Sequence, residues 1–194
     1  MDDVEYVSIG PDCFVAQHLR KYKLRRYAYP LDWAVSSPWS VYGLLKNNFE
    51  GFMDELVVNN KVKKRWFDED DDSIPPKIIV GEKKTYPVMC KKYSVLFPHF
   101  FDSVDEETIE KVRKKMELRI KRFLDLLSSD KKVFLVYTLP TLASWQKKCF
   151  MDQNINLDIF TEDRALEHIN MIRDFTGENI NVISLWEMLK LVEK

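Results

Sequence analysis

The spacing of apolar and polar positions divides the chain into short β-type runs and longer helical stripes. Val4 to Ile9 is an apolar, β-prone run that Gly10-Pro11 closes. Asp12 then stands where a helix N-cap belongs. Phe14, Val15, Ala16 and Leu19 mark the apolar face of a helix from Cys13 to about Tyr22. A Tyr/Pro-rich link follows, Tyr27 to Trp33. Ser37-Pro38 predicts a second helix start, with Trp39, Tyr42, Leu45 and Phe49 spaced three or four apart and an end near Gly51. Residues 54–92 show no sustained period and predict an irregular insertion, with short strands only at Lys77 to Val80 and, just beyond, at Tyr93 to Phe97.

Ser103 and Glu106 have the spacing of a capping box. They open the longest helical pattern, to about Leu127, with Ile109, Val112, Met116, Ile120, Phe123 and Leu127 as the buried stripe. Its Lys-, Arg- and Glu-rich remainder reads as a solvated face or, less simply, a phosphate-binding surface. Val133 to Tyr137 is almost wholly apolar, as a strand covered on both faces would be. Helices from Thr141 and from Thr161 to Phe175 follow, then the apolar run Ile180 to Leu185 and a terminal helix. Strand, helices and strand in this order imply a right-handed crossover and parallel pairing. The expectation is a single α/β domain of three layers around a mainly parallel sheet.

Composition adds limits. The 194 residues carry 30 Lys+Arg and 31 Asp+Glu, a formal charge of -1, which argues against a nucleic-acid-binding module. No apolar window spans a bilayer, so no membrane partner is expected, and the acidic start MDDVEYVSIG lacks a signal-peptide layout. Three cysteines, Cys13, Cys90 and Cys149, suit neither a disulfide framework nor a zinc cluster. These features lead us to expect a soluble cytoplasmic protein with no metal and no cofactor. The acidic run Asp68 to Asp72 reads as a solvated loop, since consecutive carboxylates do not all face one ion. Dinucleotide, P-loop, HExxH and CxxC motifs are absent.

Cys13 is the most informative residue. A thiol in the first helical turn feels the positive helix end, which favours thiolate, and a site after strand one is where open α/β sheets place ligands. The alternative is a small buried hydrophobe, and a nearby Asp12 carboxylate opposes thiolate formation. A nucleophilic Cys needs a base. His18 points elsewhere on the same helix and His168 sits within a late helix. His99, after Val95-Leu96-Phe97-Pro98, is expected at a strand-to-loop junction and is the best candidate. Asp32, between Leu31 and Trp33, needs a partner: Arg25, Arg26, backbone amides, or an imidazole that it orients.

The motifs Ser8-Ile9-Gly10-x-x-Cys13, Pro30-Leu31-Asp32-Trp33, Phe97-Pro98-His99 and Arg119-Ile120-Lys121-Arg122-Phe123, followed by Lys132 to Val136, stand in this order. Together they resemble a family labelled "putative papain-like cysteine peptidase", found in bacteria, plants and large DNA viruses. The resemblance runs from about residue 5 to 137, and P-x-D-W is its most specific part. It implies a nucleophile at Cys13, a base at His99 and a conserved acid at Asp32. One departure is Phe100, where the family usually carries an acid directly after the His; Asp102 is the nearest substitute. The Lys, Asn and Asp content fits an AT-rich genome, as in some large DNA viruses.

These residues support a thiol hydrolase, of peptidase or acyl-transfer type, acting on a protein or small-molecule substrate. Cys13 attacks a carbonyl, His99 moves the proton, Asp32 or Asp102 orients the imidazole, and backbone N–H groups from Asp12 to Phe14 hold the oxyanion. A second reading is a non-catalytic interaction protein on the same scaffold, suggested by Phe100 and by Trp39, Trp66 and Trp145. A third is a carbohydrate- or phosphate-modifying enzyme using the helix N-terminus as an anion cradle.

Overall fold

The computed structural model describes residues 4–59 and 63–193. The run expected to open the chain forms β1 (Val4–Ser8), and the two late apolar runs form β6 (Lys132–Tyr137) and β7 (Ile180–Ser184). These three strands pair parallel in the order β1-β6-β7, with Val7 beside Leu135 and Leu135 beside Val182. Alternate side chains serve opposite faces. Val7, Val133, Leu135, Tyr137 and Val182 enter the main core; Phe134 and Val136 enter a second, smaller cluster.

Helices cover both faces, as a parallel sheet requires. On one side α1 (Cys13–Lys21) brings Val15 and Leu19, and α6 (Leu185–Val192) brings Leu185 and Met188. On the other lie α2 (Pro38–Lys46), α3 (Glu106–Leu127) and α5 (Glu162–Phe175), which contribute Val41, Leu44, Met116, Phe123, Ile169 and Ile172. Helix α4 (Ser144–Met151) and a 3-10 turn (Leu157–Phe160) join β6 to α5 and build a third cluster around Phe150 and Phe160. The expected three-layer α/β fold on a parallel sheet is the one observed.

The insertion differs from the expectation. Residues 56–101 form an antiparallel sheet of β2 (Leu56–Val58), β3 (Lys63–Asp70), β4 (Ile78–Cys90) and β5 (Val95–Phe101). Strand β4 is long enough to pair with β3 through Ile78–Thr85 and with β2 through Val88–Cys90, while β5 takes its other edge. Charged runs hid these strands, because a ladder is made by backbone groups and needs no apolar alternation. Part of the acidic run, Asp68 to Asp70, therefore belongs to β3. Of the basic run, Lys61 lies outside the described residues, as do Met1 to Asp3 at the acidic start.

Three helix ends also differ. The long helix is capped by Asp105, which accepts from Thr108 N–H at 2.7 Å; Ser103 instead bonds the Asp105 carboxylate. The acid wins because a carboxylate accepts more strongly than a hydroxyl at a positive helix end. Helix α2 stops at Lys46, and the chain turns through Asn48 and Phe49 with positive φ; Leu45 and Phe49 of the expected stripe are buried, whereas Trp39 is partly exposed. Helix α4 starts at Ser144, three residues after the expected Thr141. Among the described residues no helix is long and apolar enough to cross a membrane.

Candidate functional site

Strand β1 delivers the chain to a tight turn at Gly10, whose φ of +98° favours glycine. A Cβ there would lie 2.5 Å from Ser36 Oγ, so the close approach of residue 36 also demands glycine. Helix α1 begins immediately afterwards. Asp12 caps it, accepting from Phe14 N–H at 2.8 Å. Cys13 is thus the first helical residue, at the carboxyl end of a parallel strand. It is partly exposed and borders the main core, whereas Cys90 and Cys149 are buried. Gln17 Nε2, one turn along, donates to Cys13 Sγ at 3.9 Å. The Phe14 N–H, an expected oxyanion donor, is committed to the cap.

His99 lies inside β5, not at its end. The ladder slips there: Tyr86 pairs with Phe101 and Val88 with Phe97, so three residues of β5, Pro98 to Phe100, face Pro87 alone. Pro98 lacks a ladder donor, which fits a bulge and had read as a strand terminator. Bulges re-aim side chains. Here His99 is partly exposed while Phe97, Phe100 and Phe101 on either side are buried.

A strap of two residues joins His99's strand to Cys13's turn. Val35 exchanges backbone hydrogen bonds with Leu96 of β5 at 2.7 and 2.9 Å, and Ser36 N–H donates to Pro11 O at 2.9 Å.

Asp32 is fully buried. Its Oδ2 accepts from Arg25 Nη2 at 2.6 Å and from Tyr29 N–H at 2.6 Å. Arg25 is itself buried, and Arg20 and Arg25 lie over the Trp33 ring at 5.4 and 5.9 Å. Pairing with an arginine is thus the arrangement Asp32 adopts, and Pro30-Leu31-Asp32-Trp33 acts as a clasp for the 24–36 segment.

The Arg119-x-x-Arg122-Phe123 motif grips the same region. Arg122 donates to Ala28 O at 3.2 Å and stacks over Tyr27, and Phe123 packs edge-on against Tyr29 and Phe49. Arg119 is fully buried, bonds Asp72 at 2.8 Å and lies 5.5 Å from the Phe100 ring. This corrects two expectations: one side of the charged helix face is internal, and the acidic run supplies a structural counter-ion. Phe100, where the resemblance led us to expect an acid, is a core residue against Phe97 and Arg119. Asp102 follows β5 and is exposed. His18 and His168 each bond the carbonyl four residues earlier at 2.8 Å, as helix-surface imidazoles do. Trp145 is half-buried in the third cluster, and the Trp66 side chain lies outside the described residues.

Sequence reasoning did not find a cavity of about 540 Å³ at the carboxyl ends of the parallel strands, reached by Tyr137 of β6 and Ser184 of β7. Its signal was the position alone, where sheets of this kind take ligands. Among the described residues no group of three His, Cys, Asp or Glu could hold a metal ion.

No solved structure matches the chain. A protein of Acanthamoeba polyphaga mimivirus, described as uncharacterized, is 29% identical over 141 residues, which are 70% of this chain and 61% of the relative. The chain therefore spans less than two thirds of that relative's length. A family model matches residues 4–179, most of the chain, and on that match the protein belongs to the family described as "Putative papain-like cysteine peptidase".

Proposed function

We propose that this protein is a thiol hydrolase of the peptidase or acyl-transfer type, with Cys13 as nucleophile and His99 as base. The observation that carries the reading is the position of Cys13: a partly exposed thiol on the first residue of α1, directly after the carboxyl end of β1. The positive helix end supports negative charge on Sγ, and a thiolate is the attacking species. Cys13 attacks a carbonyl carbon and His99 delivers a proton to the leaving group. Water, deprotonated by His99, then cleaves the thioester and releases the acid. Asp102 orients the imidazole, since Asp32 Oδ2 is engaged with Arg25 and Tyr29.

Hydrolysis of p-nitrophenyl acetate tests this. Wild type releases p-nitrophenolate over many turnovers, Cys13→Ala falls to the buffer rate, and His99→Ala accumulates acetyl-Cys13. Wild-type turnover no faster than Cys13→Ala contradicts the proposal. That outcome favours the second reading, a non-catalytic interaction protein, for which the buried Phe100 beside His99 is the supporting observation.

A further inference from the structure

The cavity at the strand ends adjoins the turn that carries the thiol. Asp12 and Phe14 line it, but Cys13 between them does not; its side chain borders the main core instead. Four large apolar side chains converge on the cavity from four parts of the chain. These are Phe14 of α1, Leu139 after β6, Leu166 of α5 and Trp186 of α6, and they are 44%, 40%, 41% and 67% exposed. Single exposed hydrophobic residues are ordinary, whereas a convergent set in a concavity marks a binding groove. A volume of about 540 Å³ falls within the range of small-molecule sites and is too small for a folded partner.

Charge selects the ligand class. Among the described residues lining the cavity the only charged side chain is Asp12, with the hydroxyls of Thr138 and Thr141 nearby and no Lys, Arg or His. Two helix N-termini do approach the cavity, those of α1 and α6, and a bare N-terminus attracts anions. Both are already answered by acids of the chain. Asp12 Oδ1 accepts from Phe14 N–H at 2.8 Å, and Glu187 Oε2 accepts from Ser184 N–H at 2.7 Å while Ser184 Oγ accepts from Glu187 N–H at 3.2 Å. Among the described lining residues an anion meets a carboxylate and no cationic side chain, so the phosphate-cradle reading loses its support.

We infer that the cavity binds an apolar amine. The ligand's aromatic or aliphatic body lies against Phe14, Leu139, Leu166 and Trp186, and its ammonium faces Asp12. This site stands whether or not Cys13 is a nucleophile.

Titration of phenethylamine and of 3-phenylpropionate, a body-matched pair of opposite charge, tests the inference by ligand-observed NMR on wild type, Asp12→Asn, Trp186→Ala and Cys13→Ala. Asn is a good N-cap, so Asp12→Asn removes the charge and keeps the helix start. The expected result is phenethylamine binding about two- to fivefold tighter than 3-phenylpropionate, the order of one exposed ion pair. That preference disappears in Asp12→Asn, both probes weaken roughly tenfold in Trp186→Ala, and Cys13→Ala binds as wild type does. No binding of the amine at millimolar concentration, equal or tighter binding of the carboxylate, or a preference that survives Asp12→Asn overturns it.

Discussion

Replacing Asp32 by Asn separates a structural acid from a catalytic one. Oδ2 takes two charge-assisted hydrogen bonds, from Arg25 Nη2 and Tyr29 N–H, both at 2.6 Å. The side chains are 0% and 3% exposed, so solvent screens the pair little. Removing the charge breaks a buried ion pair from one side, which costs about 3–5 kcal/mol. The Trp33 ring at 5.9 Å offsets part of this, which favours the lower half of the range. For a chain of this size 1 kcal/mol moves Tm by roughly 2–4 °C, so a loss of about 6–16 °C is expected. Thermal unfolding followed by circular dichroism reads it. The double variant Asp32→Leu/Arg25→Met removes both charges and regains most of the loss, because an apolar pair leaves no orphaned ion. A Tm within about 2 °C of wild type in Asp32→Asn, together with lost esterase turnover, refutes the structural assignment and makes Asp32 part of the chemistry.

Gly10→Ala places a Cβ 2.5 Å from Ser36 Oγ on a backbone with φ +98°, so it destabilises by about 2 kcal/mol or more in urea unfolding; Ser36→Ala relieves the contact but not the φ, and rescues only in part. Glu5 has its pKa raised, chiefly by burial, against the opposing pull of Arg26, Lys131 and hydrogen bonds from Tyr29 and the Arg26 backbone. The folded state then holds a proton that the unfolded state releases, so this group makes stability fall as pH rises above about 4.5 through the folded value. Glu5→Gln is expected to raise Tm at pH 7.5 and to leave it nearly unchanged at pH 4; an equal shift at both pH values contradicts this linkage. Burial pushes the Cys90 thiol up to about 11, so iodoacetamide at pH 8 modifies Cys13 well before Cys90, as peptide mass spectrometry reads directly.

The parts of the fold legible in the sequence are those in which one local signal points one way. Gly10-Pro11-Asp12-Cys13 announces a strand end, a cap and a helix start, and each is found there. Val133 to Tyr137 is apolar enough to be read as a covered strand. The antiparallel sheet was legible only in part: the short strands expected at Lys77 to Val80 and Tyr93 to Phe97 fall in β4 and β5, whereas β3 and the rest of β4 are charged and joined by backbone pairing, which leaves no period of two. His99 was placed at the end of its strand rather than inside it because Pro98 usually ends strands, whereas a bulge tolerates it. The family motifs were legible as residues but not as contacts. Asp32, Trp33, Arg119 and Arg122 form a clasp between α3, the 24–36 segment and the loop carrying Asp72, and partners so distant in sequence leave no local pattern.

The central claim is a thiolate–imidazole pair between Cys13 and His99. Its most direct test is the rate of Cys13 alkylation against pH, followed by mass spectrometry, in wild type and His99→Ala. The account predicts a wild-type Cys13 that titrates well below the free-thiol value of about 8.5 and moves upward when His99 is lost. A slow Cys13 whose pH profile is the same in both proteins contradicts it and makes the thiol a structural residue.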